Sequence, residues 1–154
     1  MFRTMRVLKT LAVSFFFLLI YALYSNFSFS RTFRFELINP DSKFYEVKRF
    51  GEKVRLSLIT KFSGSGSEYL SILLDRRFRE ILYLVAKNQL GELENSLARY
   101  NTTAGILLEI PKEKRGIKNI ETYKLEFARI RDLFPANSSF WLFTQSALDT
   151  TNRL

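Results

Sequence analysis

Near its start the chain has one long stretch with no polar face at all. Residues 10–30 carry no charge, and the strongly apolar part runs from Leu11 to Tyr24. Apolar positions all round a helix mark a buried or membrane-spanning segment rather than a surface helix. The uncharged run is close to the roughly 20 residues that a spanning helix needs. Arg3, Arg6 and Lys9 precede it as a basic head, and Tyr21, Tyr24 and Phe27 fall where amphipathic rings favour a membrane interface. The pattern predicts a transmembrane signal anchor at residues 10–30, a cytoplasmic head at 1–9 and a tether at 31–40. A cleaved, secreted form is the alternative. The one small-x-small site, Ser28-Phe29-Ser30, lies far past the apolar core, which favours retention. Arg31, Arg34, Lys43, Lys48 and Arg49 follow the segment, so charge alone does not orient it. The head-then-core order of a signal sequence favours the extracytoplasmic side for the rest of the chain.

Beyond residue 40 the apolar positions recur with helical spacing and no stretch sustains strand alternation. Pro40-Asp41-Ser42 is a helix start signal, with Asp41 or Ser42 as capping acceptor. Phe44, Val47, Gly51, Val54 and Leu58 then follow at 3-4-3-4 spacing and predict the buried face of a first helix. Gly51 permits a close helix approach there, or simply lowers helix propensity. Ser63-Gly64-Ser65-Gly66-Ser67 predicts a flexible linker; no lysine-threonine pair follows to make it a phosphate loop.

A second helix over residues 68–87 carries Leu70, Leu73, Leu74, Phe78, Ile81, Leu84 and Val85. A third over 90–109 carries Leu90, Leu93, Leu97, Tyr100, Ala104 and Leu108, and the short turn between them makes the pair antiparallel. After the basic loop "PKEKRG", a fourth helix carries Ile120, Tyr123, Phe127, Ile130 and Phe134 and stops at Pro135. Asn137 or Ser138 caps a short last helix with Phe140, Trp141, Phe143 and Leu148. The fold class expected is all-α: a membrane anchor followed by a four- to five-helix bundle. Residues 41–110 form a three-helix core and residues 111–154 complete it.

Composition narrows the chemistry. The chain has 154 residues with no cysteine and no histidine. Disulfides, thiolate zinc sites and cysteine nucleophiles are excluded, and the commonest general base is missing. No Glu-x-x-His pattern exists for a di-metal bundle, so no cofactor or metal is expected. Net charge is +9, but five basic and one acidic residue precede Asp41, leaving 19 basic and 14 acidic beyond it. That spread excess is no nucleic-acid footprint.

Arg77 breaks the pattern, because it falls among Leu70, Leu73, Leu74, Ile81 and Leu84 inside the apolar band. A buried guanidinium needs a carboxylate. Glu52 is the natural partner on the first helix, with Glu92 and Glu94 as rivals. An inter-helix salt bridge is favoured over an anion receptor. Tyr45, Lys48 and Glu52 share a face at i, i+3 and i+7, and packing with salt bridging explains them better than catalysis. The basic loop is read as a solvated loop rather than a phosphate or lipid contact. "FWLF" is read as the end of the bundle rather than a docking patch.

"PDSKFYEVKRFGEKVRL" followed by "LLDRRFREILYLVAKNQLGELENSLARYN" resembles a bacterial domain-of-unknown-function family. Its opening reads Pro-Asp-Ser-x-x-Tyr-x-x-Lys-Arg-x-x-Glu. The matching positions are Pro40, Asp41, Ser42, Tyr45, Lys48, Arg49 and Glu52, then Arg76, Arg77, Phe78 and Glu80, then Leu97 and Tyr100. The likeness covers about residues 38–110. It implies an extracytoplasmic helical domain, set behind a signal peptide or single anchor, with no assigned catalysis.

The function expected is a membrane-tethered, non-enzymatic binding or scaffold domain of the bacterial envelope. Its partners are the membrane and, outside it, anionic lipid, a wall polymer or an envelope protein, not nucleic acid. A regulatory ectodomain signalling through a membrane partner is the first rival, and a carboxylate-dependent cell-wall enzyme the second.

Overall fold

The computed structural model describes residues 38–62 and 66–154; the expected head, anchor and most of the tether lie outside them. No helix among the described residues is long and apolar enough to cross a membrane. The described chain is all-helical: α1 (Tyr45–Phe62), α2 (Gly66–Ala86), α3 (Leu93–Leu108), α4 (Ile120–Arg131) and α5 (Ser139–Arg153), with single 3-10 turns at Leu90–Glu92 and Lys112–Lys114. Gly66 and Ser67, expected in the linker, are the first residues of α2.

Local chemistry sets the boundaries. Ser42 Oγ accepts from the Phe44 amide at 3.3 Å ahead of α1, while Asp41 turns away to bind Tyr83 and Gln89. Asn88 adopts φ 53° after α2. There the Gln89 amide reaches back to the Leu84 carbonyl at 2.8 Å, closing the helix as a left-handed cap. Pro135 was expected to end α4, but the helix stops at Arg131 and a turn carries the chain to the proline. Ser138 caps α5 by accepting from the Trp141 amide at 3.3 Å, and this helix is a full 15 residues.

The core lies among α2, α3, α4 and α5. Leu74, Phe78, Ile81, Leu84, Leu93, Leu97, Tyr100, Ala104, Phe127 and Ile130 are essentially closed to solvent, so the stripes expected of the second, third and fourth helices point inward, except that at the end of α3 the buried leucine is Leu107 rather than the expected Leu108. Phe127 meets Phe78 and Tyr100 edge-on, at centroid distances of 5.4 and 4.8 Å, a favoured geometry for the ring quadrupoles. Tyr100 Oη and Thr151 Oγ1 share a buried hydrogen bond at 2.8 Å, tying α5 to α3. Phe140 and Phe143 pack half-buried on this core. Arg115, in the basic loop, donates to the main-chain oxygens of Leu108, Ile110 and Leu154, closing the end of α3 against that of α5.

The first helix departs from expectation. Its apolar stripe was expected to face the core, yet Phe44 and Val47 are 68% and 65% exposed, Val54 and Leu58 are also exposed, and Phe50 beside them is 69% exposed. α1 packs on α2 through Tyr45 and Glu52 instead, both buried. The cause lies on α2. Arg77 and Glu80 occupy the surface that meets α1 and are themselves buried, so only polar partners on α1 satisfy them. A polar stripe and an apolar stripe have the same helical period. Here the polar one decides which side of α1 faces inward.

Candidate functional site

The α1–α2 contact is a buried ion network built on Arg77. Arg77 is 7% exposed, and its guanidinium chelates the Glu80 carboxylate through Nη1, at 2.9 Å to each oxygen. Its Nη2 donates to Glu52, which is 1% exposed. Arg76 reaches the other Glu52 oxygen at 3.5 Å. Lys48 donates to Glu80 Oε1 at 2.9 Å and to the Ile38 carbonyl at 3.0 Å. Tyr45 donates its phenol proton to Glu80 Oε2 at 2.7 Å. The Arg99 guanidinium of α3 lies 5.3 Å from the Tyr45 ring centre, joining a third helix to the cluster. Arg55 covers the Tyr69 ring in the same way at 5.0 Å.

Helical geometry places each group. Tyr45, Lys48 and Glu52 recur at i, i+3 and i+7, one stripe of α1, while Arg77 and Glu80 are one turn apart on α2. Arg76 comes from the neighbouring row. Two carboxylates therefore meet three cations in a largely buried contact.

The electrostatics follow from that count. Burial would raise the Glu80 carboxyl, but Arg77 and Lys48, with hydrogen bonds from Lys48 and Tyr45, outweigh it and hold the group below its ordinary range. Burial would lower Arg77, and Glu80 and Glu52 outweigh that, so its proton is held more firmly than usual. The Tyr45 phenol is pushed well up, first by burial and then by the Glu80 charge. A carboxylate so stabilised is a poor base and a phenol so raised is a poor acid. The cluster is suited to holding two helices in register.

Among the sequence candidates, the structure brings together Tyr45, Lys48, Glu52, Arg76, Arg77 and Glu80. Glu92 and Glu94 are exposed at the start of α3, away from Arg77. Arg49 pairs with Glu46 on the surface at 3.2 Å, Pro40 is buried, and Asp41 and Ser42 stay in the turn before α1. Glu80 was singled out only as a motif position, although it is a second partner of Arg77. Its i+3 spacing from Arg77 was the available signal. A second inter-helix pair was also missed: Tyr123 of α4 donates to Asp75 Oδ1 at 2.8 Å, and Arg79 holds the other oxygen at 2.6 Å. No group of three or more Asp or Glu side chains among the described residues is arranged to hold a metal.

The second feature of this region is the outer side of α1. Val47, Phe50, Val54 and Leu58 fall within about 80° of the helix circumference, roughly opposite Tyr45 and Glu52. Phe44 extends the stripe at its start, and Lys43, Lys53 and Lys61 are exposed beside it. The ion network thus fixes α1 with its apolar side turned outward.

A family model described as Domain of unknown function (DUF5667) matches residues 37–131. The match extends beyond the three helices of the sequence resemblance and takes in all of α4. Comparison with curated proteins gives no match, and neither does comparison with solved structures.

Proposed function

The chain belongs to the family described as Domain of unknown function (DUF5667), and on that premise we propose that it is a membrane-anchored, extracytoplasmic module with a non-catalytic binding or scaffold role in the bacterial envelope. The observation that carries this reading is the outward apolar stripe of α1. Most apolar side chains of the bundle are buried, yet five large ones line one helix in open solvent, and a contiguous exposed patch of that kind marks an interaction surface. The ionisable groups beneath it are engaged with one another, which supports a contact role. The anchor rests on the uncharged run at residues 10–30 and its basic head.

A topology experiment tests it. A reporter active only outside the cytoplasm is fused after Leu154, and the membrane pellet is assayed. Activity retained in the pellet is expected. A released, active fusion removes the anchor, and an inactive one removes the extracytoplasmic orientation.

A further inference from the structure

We propose that the apolar stripe of α1 seats on the surface of the lipid bilayer in which the chain is anchored, so that α1 lies along the membrane and the bundle is held against it. This rests on the anchored reading of residues 10–30 and names the partner of the stripe.

Three observations favour lipid over a protein partner. The first is reach. Only the seven residues 31–37 lie between Ser30 and Ile38, which is already held beside α1, and at full extension that link spans about 28 Å. A bilayer entered by residues 10–30 is therefore always within range of α1, and tethering makes the contact intramolecular, so a small surface suffices.

The second is area. Phe44, Val47, Phe50, Val54 and Leu58 are 68%, 65%, 69%, 42% and 48% exposed, which amounts to on the order of 500 Å² of apolar side chain. A stable complex between two protein copies buries about 800 Å² on each side, more than the stripe offers.

The third is charge. Lys43, Lys53 and Lys61 stand exposed around the stripe, against Glu46 as the exposed acid of α1. Phenylalanine and leucine on one side with flanking lysines is the composition of a helix lying in a bilayer interface, and each lysine near an anionic surface adds to its attraction. A second copy would bring these lysines against one another.

The absence of cysteine allows a direct test. Phe50→Cys and, as comparison, Leu125→Cys, which is 73% exposed on α4, are labelled with an environment-sensitive fluorophore. Each full chain is reconstituted in phosphatidylcholine vesicles with and without phosphatidylglycerol. The label at position 50 is expected to emit blue-shifted, to be quenched by lipid-borne quenchers at the glycerol level, and to be unaffected by tenfold dilution of protein in lipid. Leaving out phosphatidylglycerol, or adding Val47→Glu and Val54→Glu, should cut the quenching several-fold, while the label at position 125 stays in water.

A water-exposed label at position 50 on a chain that survives alkaline washing of the vesicles overturns the proposal and leaves the anchor standing. A label shielded from water, unquenched by lipid and uncovered on dilution identifies a second copy and also overturns it. Quenching on a chain that alkaline washing removes supports the docking and overturns the anchor instead.

Discussion

Arg77 is where a single side chain governs the most. It satisfies two buried carboxylates, Glu52 and Glu80, from opposite ends of one guanidinium. Replacement by methionine keeps the stem and removes the charge, leaving both buried carboxylates without their shared guanidinium. Removing one partner of a buried pair costs about 3–5 kcal/mol, a large part of the roughly 5–15 kcal/mol that holds a domain together. Glu52→Gln leaves Arg77 chelated by Glu80 and should lose less, about 1–3 kcal/mol. Adding Glu80→Gln to Arg77→Met should recover part of the loss, because it neutralises one stranded charge. Urea unfolding of the full-length variants in detergent, followed by helical circular dichroism, reads all three against the parent. Arg77→Met at parental stability would show that the bridge does not hold α1 in place.

Among the helices, α1 is the one whose orientation the apolar pattern misassigned, and the reason is physical. For α2, α3 and α4 apolar periodicity and burial agree: Leu70, Leu74, Phe78 and Ile81 on α2, Leu93, Leu97 and Tyr100 on α3, and Tyr123, Phe127 and Ile130 on α4 are all inside. On α5 the buried face is Thr144, Ala147, Leu148 and Thr151, with the expected Phe140, Trp141 and Phe143 half-buried beside it. On α1 two stripes share one period, and hydrophobicity alone picks the wrong one. The position of Arg77 inside an apolar band was the legible clue, since it requires acids on the facing helix. Glu80 was matched only as a motif position because a search for acids on the facing helix passes over a partner one turn away on the same one.

Gly51 makes the same point in reverse, because a Cβ at this position would meet nothing within 4 Å. It is not the site of a close helix approach, so Gly51→Ala should raise stability by about 0.5–1 kcal/mol through backbone entropy and helix propensity. By the same logic, Val54→Ser on the outer stripe should change stability by less than about 0.5 kcal/mol, whereas Leu74→Ala in the core should lose about 2–5 kcal/mol. A large loss from Val54→Ser in detergent would mean that the stripe is packed rather than outward.

The bundle as a whole should have a broad, flat stability profile bounded by the ion network on the acid side and by buried phenols on the alkaline side. There is no histidine, the side chain that ordinarily titrates between pH 5 and 8, so little should change across that interval. On the acid side, Glu80 is lowered on folding from an ordinary value of about 4.3. Its stabilising contribution is fully present above that value and is lost as pH falls through the folded one, at up to about 1.4 kcal/mol per pH unit for one proton. On the alkaline side, burial raises Tyr45, Tyr100 and Tyr123, with Glu80 adding to the first and Asp75 to the last. Their contribution is intact below the ordinary phenol value of about 10 and is lost as pH rises beyond it, because the unfolded chain releases those protons first. Urea unfolding should therefore give a plateau from about pH 5 to 9 with a decline on either side. Tyrosinate absorbance of the folded chain should show part of its amplitude arriving only together with loss of helix. Glu80→Gln is the discriminating variant: it lowers the plateau and flattens the acid limb, since one proton fewer is taken up on unfolding. An acid limb as steep in Glu80→Gln as in the parent would place the acid sensitivity of the bundle elsewhere and sever the link between the buried network and its stability.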